Sequence, residues 1–276
     1  MTDAPLVPWT GFFQSKEEAL MERFLADGHI IVPAEDLDAV RAIREQAASL
    51  AAHHLGCAPP DDPGRFLETI HERVSVAGLN DLRLAVFEGL NILSWLRPAY
   101  FAVARRVLEV LVGNELAMQL RVNLSIQLPG DDSSLLPIHA DVFNGDSPYE
   151  VVVWLPLVDC HGTKSMFFLP PGPNQRLVDE FANQSSRSAE DLYRQVEPEL
   201  LWLTVKFGEV LIFSQNLMHG NRVNREPDTR WSMNCRFKSL FSPYADKKLG
   251  EFFEPVTLRP ATRLGSSFKM PEGFGE

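Results

Sequence analysis

At about residue 117 the chain changes its hydrophobic period, and this switch restricts the folds open to it. Upstream, apolar residues recur every three or four positions, as on one face of a helix. Downstream they run together or alternate over 117–128, 149–159, 164–169, 200–205, 209–214 and 230–241. Pro, Gly, Asn and Asp separate these runs, which is how short strands are bounded. Strands without helices between them favour a sandwich or barrel over parallel βαβ units.

The helical half has its own punctuation. Ser15-Lys16-Glu17-Glu18 has the S-x-x-E form of a capping box, with Leu20 and Phe24 following at helical spacing. Gly28 ends that helix, and 29–33 reads as a short strand closed by Pro33. A second helix is expected from near Glu35, with Leu37, Val40, Ile43, Ala47 and Leu50 on one stripe. Residues 56–64 form a turn-rich loop. A further helical stretch over 81–112 is interrupted where Pro98 lacks a backbone donor. Residues 173–199 are polar with helical character and read as an insertion between strands.

The expectation is one domain over 1–276, mainly β with N-terminal α-helices. Residues 1–115 give helical support, 116–242 a β-barrel core with the 173–199 insertion, and 243–276 a C-terminal extension.

Of the 276 residues, 45% are hydrophobic and 23% charged, enough for a sizeable core. That balance excludes a disordered, collagen-like or disulfide-scaffold protein. The net charge of −11 argues against nucleic acid as a partner, because phosphate binding needs basic surface. Cys57, Cys160 and Cys235 form no CxxC pair. With no basic-then-apolar leader in 1–11 and no apolar run of about 18 residues, the expected location is cytoplasmic, with no membrane partner. Oligomeric state is not encoded legibly.

Two runs alternate strictly. In 120–128, Leu120, Val122, Leu124, Ile126 and Leu128 share one face, and Arg121, Asn123, Ser125 and Gln127 the other. In 230–238, Arg230, Ser232, Asn234, Arg236 and Lys238 oppose Trp231, Met233, Cys235 and Phe237. Either the polar faces look at water, or they look into a cavity that suits an anionic, hydroxyl-rich ligand. The pattern alone leaves both open.

His139-Ala140-Asp141 is an H-x-D motif, whose first and third residues project to one side of an extended strand. His219 follows 80 residues later, after a strand ending in small polar residues. Two imidazoles and one carboxylate suit non-haem Fe(II), leaving its remaining coordination positions open. Eleven residues beyond His219, Arg230-Trp231-Ser232 places a guanidinium and a hydroxyl on one face, able to hold a carboxylate.

This combination resembles the Fe(II)/2-oxoglutarate-dependent dioxygenase superfamily. Residues 24–32 (FLADGHIIV), 162–172 (GTKSMFFLPPG) and 208–220 (GEVLIFSQNLMHG) are similar to its phytanoyl-CoA hydroxylase-like branch. The stretch 248–255 resembles a bacterial subgroup found with carbohydrate-biosynthesis genes. The resemblance implies a double-stranded β-helix (jelly roll, cupin-like) core. It makes His139, Asp141 and His219 the iron ligands, Arg230 the partner of the distal 2-oxoglutarate carboxylate, and Ser232 its assistant. Asn123 and Gln127 are further candidate cosubstrate contacts. With O2 as the third component, 2-oxoglutarate would leave as succinate and CO2 while a C–H bond of a small polar metabolite is oxidised. The subgroup points to a sugar or sugar-derived substrate. Halogenating relatives have a small residue in place of the carboxylate, so Asp141 favours hydroxylation or a related oxidation. The Asn that relatives often carry before Gly162 is absent.

Two rival readings share the fold: a cupin-like metal-dependent isomerase or hydrolase, and a non-catalytic jelly-roll binding protein. His161 is expected in a loop outside the site, and His53 and His54 at a helix C-terminus. His29 and His71 have no metal-spaced partner. Lys164 could bind a carboxylate, but Arg230 already fills that role, and Arg121, Asn234 and Arg236 are lesser candidates to face substrate. Trp154 and Phe143 are expected in packing roles.

Overall fold

Gln14, one residue before the expected Ser15, caps the first helix: its N–H donates to the Glu17 carboxylate at 2.8 Å. The computed structural model describes residues 11–181 and 188–269. The segments 1–10, 182–187 and 270–276, which include most of the N-terminal stretch expected to carry no leader, part of the insertion and the end of the extension, lie outside the described residues. Helix α1 (Ser15–Asp27) ends at Gly28, which sits at φ +68° and donates its N–H to Phe24 O at 2.7 Å. A Cβ there would come within 2.7 Å of Leu217, so glycine is needed for both reasons.

Strand β1 (His29–Pro33) leads into α2 (Leu37–His54), which begins later than Glu35 because Asp36 caps it, accepting from Ala39 N–H at 2.9 Å. Val40, Ile43 and Ala47 of the expected stripe are fully buried, Leu50 is partly buried and Leu37 is exposed. Helix α3 (Pro63–Glu68) starts on a proline behind the Asp62 cap.

The stretch expected as one interrupted helix is three: α4 (Val76–Asn91), α5 (Leu96–Ala102) and α6 (Arg105–Leu111). The breaks fall at 92–95 and 103–104 and not at Pro98. That proline lies in the first turn of α5, where a missing N–H leaves no helical bond unmade.

The remaining elements are β2 (Leu116–Gln119), β3 (Asn123–Gln127), β4 (Glu150–Pro156), β5 (Phe167–Phe168), α7 (Pro171–Phe181), α8 (Ala189–Val196), β6 (Leu201–Trp202), β7 (Glu209–Ser214), β8 (His219–Gly220), β9 (Arg230–Ser239), β10 (Phe253–Pro255) and α9 (Pro260–Ser267). The run 117–128 is split because the Asn91 side chain replaces a strand partner at the break. Its Oδ1 accepts from Val122 N–H at 2.9 Å, and its Nδ2 donates to Val122 O at 3.0 Å. The expectation of a mainly β chain needs correcting. Helical residues outnumber strand residues among those described, since several strands are only two to five residues long and 171–196 is helical.

Both sheets are antiparallel. The larger runs β1-β7-β4-β9-β2-β10, with β3 also paired to β9, and the smaller runs β6-β5-β8. Trp231, Met233, Cys235 and Phe237 of β9 join Val40, Ile43, Leu82 and Val86 of the helices in one buried core. Tyr100 ties the layers together, its hydroxyl donating to Val153 O at 2.9 Å. The helices thereby cover the apolar face of the larger sheet and leave its polar face for the site.

Candidate metal centre

The polar faces of β3 and β9 look inward. Asn123 and Ser125 on β3 and Arg230, Ser232, Asn234 and Arg236 on β9 line a cavity of about 430 Å³, which excludes the reading in which they face bulk water. Cross-strand register pairs Asn123 with Asn234, Ser125 with Ser232 and Gln127 with Arg230. Val152, Trp154, Met166 and Phe213 supply apolar wall, and Gly220 and His219 enter from the smaller sheet.

Residue 139 meets residue 219 through a single antiparallel bridge. Ala140 keeps extended backbone, at φ −114° and ψ 134°, and Asp141 opens a one-turn 3-10 helix. His139 and Asp141 therefore share a side, with Nε2 and Oδ1 3.3 Å apart. One ligand atom from each of His139, Asp141 and His219 lies within 4.8 Å of the others. The sequence-predicted triad is brought together.

Each imidazole is fixed from behind. His139 Nδ1 lies 2.8 Å from Pro137 O, and His219 Nδ1 lies 2.9 Å from Leu217 O. A carbonyl only accepts, so both rings carry a proton on Nδ1 and turn Nε2 inward. Burial and the neighbouring His139 push the His219 pKa down to about 4, which keeps that ring neutral at physiological pH. Burial also opposes charge on His139, but its bond to Asp141 prevails and raises its pKa. Burial works against the Asp141 carboxylate too, yet the His139 bond, the adjoining His219 ring and the Arg236 charge hold it well below the usual range. A neutral imidazole beside an ionised carboxylate is the donor set a divalent ion requires.

Arg230 is buried nearby. Its Nη2 donates to Ser125 Oγ at 3.0 Å and its Nη1 to Ser165 O at 3.2 Å, while Nε has no partner. The Ser232 hydroxyl is likewise buried without a partner. Burial lowers the Arg230 pKa, and no carboxylate pairs with it among the described residues. A buried guanidinium without a counter-ion is costly, and a ligand carboxylate would neutralise it. The residues present therefore fit both a metal ion and an anionic co-ligand.

Other expected residues are placed less centrally. Asn123 lines the cavity, its Nδ2 donating to Asn234 Oδ1 at 3.0 Å. Gln127 stands opposite Arg230, but its amide donates to Arg222 O at 2.7 Å and it is not among the cavity-lining residues. Lys164 pairs with Glu68 at 3.5 Å instead of entering the site. His161 and Arg121 are exposed, Phe143 is exposed and Trp154 forms cavity wall. His71 Nδ1 lies 2.9 Å from Thr229 Oγ1.

Arg236, read as facing substrate, is occupied by two carboxylates: Asp141 at 3.3 Å and Asp146 at 3.1 Å. The sequence offered no signal for Asp146, which lies in a turn with no motif. Ser125 could have been found, because it shares the polar face of β3 with Asn123. Arg83 on α4 also lines the cavity, bonded to Asn80 Oδ1 at 2.6 Å and without a carboxylate partner among the described residues.

No protein-family model matches the chain, and no curated protein matches it. Solved structures do. A non-heme monooxygenase, ThoJ in its nickel complex, is 18% identical over 87% of this chain and 84% of that chain, with a TM-score of 0.54. The non-heme alpha-ketoglutarate-dependent carbocyclase SnoK from nogalamycin biosynthesis is 17% identical, with 91% and 100% covered and a TM-score of 0.54. At these identities the likeness is one of fold: the chain has the fold of these non-heme enzymes. Among the described residues no helix is long and apolar enough to cross a membrane.

Proposed function

We propose that the protein is an Fe(II)- and 2-oxoglutarate-dependent oxygenase of a small polar metabolite, built on a jelly-roll core within a single domain. The observation that carries this reading is the pairing of a His-Asp-His cluster with a buried, unneutralised Arg230 in one cavity. A metal isomerase or hydrolase needs the cluster but has no use for a second buried cation-and-hydroxyl pair. A binding protein needs neither imidazole to be fixed from behind and aimed inward.

In this reading His139, Asp141 and His219 hold iron, which with O2 and 2-oxoglutarate supplies the oxidising power for a C–H bond, releasing succinate and CO2. Arg230 binds the distal carboxylate of 2-oxoglutarate through charge-assisted bonds, oriented by Ser125 and the Ser165 carbonyl and assisted by Ser232. Trp154, Phe213 and Met166 keep water from that end of the cavity. Arg236 is already ion-paired to two aspartates, so Arg83, which has no carboxylate partner among the described residues, and the Asn234 amide are the groups that meet substrate. They favour a molecule rich in hydrogen-bond acceptors, and a cavity of about 430 Å³ favours a small one.

The test is anaerobic addition of 2-oxoglutarate to the Fe(II)-loaded protein, followed by exposure to O2. A weak visible charge-transfer band should form and succinate should accumulate once air is admitted. Absence of the band at millimolar 2-oxoglutarate would remove the oxygenase reading.

A further inference from the structure

The C-terminal extension reaches the metal ligand through a chain of buried charges. Asp141 turns Oδ1 towards His139 Nε2 at 3.3 Å and Oδ2 towards Arg236 Nη2 at 3.3 Å. The same guanidinium holds its Nε 3.1 Å from Asp146 Oδ1, and Asp146 Oδ2 meets Lys247 Nζ at 2.5 Å. The Asp146 side chain is 1% exposed, so these cations are its means of neutralisation.

Residues 243–247 are in turn clamped to the loop that follows Asp141. Asp246 donates its N–H to Gly145 O at 3.1 Å, and Ser147 Oγ donates to Pro243 O at 2.7 Å. Lys238 Nζ, from β9, donates to the same Pro243 carbonyl at 2.6 Å. Gly145 sits at φ +83°, and a Cβ there would lie 2.5 Å from Asp246 Oδ2, so the approach depends on glycine.

We propose that residues 243–247 form a strut that fixes Asp141 as a ligand through one oxygen, with Lys247, Asp146 and Arg236 as positioning residues. The inference rests on the triad holding a metal. A carboxylate beside a cation can bind through one oxygen or both. Arg236 engages Oδ2 while Oδ1 faces His139 Nε2, so a metal held through Oδ1 alone would keep one more coordination position open for other ligands. The strut explains why a segment outside the barrel is packed against the metal-binding loop.

Charge and positioning predict opposite signs here, which makes the proposal testable. Lys247 and Arg236 are cations near a cation site, so on Coulomb repulsion alone their removal would tighten metal binding. If they position Asp141, their removal loosens it. The experiment titrates Co(II) into the metal-free full chain without 2-oxoglutarate, read by calorimetry and visible absorption. Arg236→Gln should weaken Co(II) about 10- to 100-fold, the range typical of lost outer-shell partners, and Arg236→Lys should recover part of it. Lys247→Met should weaken it less, by about threefold or more, because Arg236 remains to neutralise Asp146. Should Arg236→Gln not fold, Lys247→Met decides alone, since that side chain is 26% exposed at the far end of the chain of charges. Co(II) binding to Lys247→Met that is unchanged or tighter overturns the strut and leaves the triad standing. An unsubstituted chain that takes up no Co(II) overturns both. Failure to bind 2-oxoglutarate touches only the proposed activity.

Discussion

His139 and His219 are a directly hydrogen-bonded cross-strand pair: His139 N–H meets His219 O at 2.9 Å, and His219 N–H meets His139 O at 2.8 Å. Their ring centroids lie 4.4 Å apart. Two positions 80 residues apart in sequence are thus fixed by backbone alone, before either side chain contributes. The metal centre is a property of sheet register.

Because the register does not depend on the imidazoles, His139→Ala and Asp141→Ala should fold while losing the ion. Ni(II) or Co(II) affinity should fall at least about 100-fold, since each change removes a ligand outright. Metal should raise the melting temperature of the unsubstituted chain, as any ligand of the native state does, and leave that of either variant unmoved. A variant that still shows the full metal-induced rise would displace the triad assignment.

Arg230→Ala separates the cosubstrate anchor from the metal. The guanidinium is held by Ser125 and Ser165 and touches none of the three ligands, so metal affinity should change less than about threefold. Loss of a charge-assisted pair of bonds costs about 1.5–3 kcal/mol, which is about 10- to 100-fold in 2-oxoglutarate binding. The metal-free variant should be no less stable than the parent, because a buried charge without a counter-ion has been removed. Equal loss of metal and 2-oxoglutarate, read by calorimetry, would mean that Arg230 supports the fold instead.

The legibility of this site in the sequence follows from which features are local. His139 and Asp141 are two residues apart and Arg230 and Ser232 are two residues apart, so strand periodicity alone places each pair on one side. The inward direction of the polar faces was not readable, because alternation is symmetric: only the packing of α4 against β3 chooses which side meets the helices. The helix breaks around Pro98 were misplaced because a proline in a first turn breaks nothing. Arg236 lines the cavity as expected, but its ion pairs are not legible for a different reason. Its partner Asp146 comes from a distant turn, and long-range ion pairs leave no periodic trace.

A second buried acid gives a pH dependence with a definite sign. Glu150 is buried opposite Lys238, and burial raises its carboxyl pKa to about 7, with Asp146 reinforcing and Lys238 and Arg236 opposing. An acid whose pKa is higher folded than unfolded binds more protons in the native state, so stability falls as pH rises from about 4.5 to about 7. Glu150→Gln mimics the protonated form. Its oxygen can still accept from Ser147 N–H, and its amide can meet Gln215, whose Oε1 now lacks a partner. The variant should lose this decline and be relatively more stable at pH 8 than at pH 5. Parallel stability curves for parent and variant, from denaturant titrations across that range, would count against the assignment.

Gly220 follows His219 and pairs with Phe167 across the smaller sheet. A Cβ on it would lie 2.7 Å from Leu136 O, 2.9 Å from Phe167 Cζ and 3.2 Å from Ile138 N. Two of these atoms are backbone, and the extended segment they belong to carries His139 one residue further on. Gly220→Ala must therefore push that segment away, at a cost of about 1–3 kcal/mol for an overpacked site. The same displacement separates the two imidazoles, so metal affinity should fall together with stability even though no ligand has been touched. Gly265→Ala in α9 is the control, because a methyl there meets open space and alanine favours helix. Loss of metal affinity in Gly220→Ala alone would locate the cause in the 136–139 segment, whereas a Gly220→Ala protein of full stability would mean that this segment has room to yield.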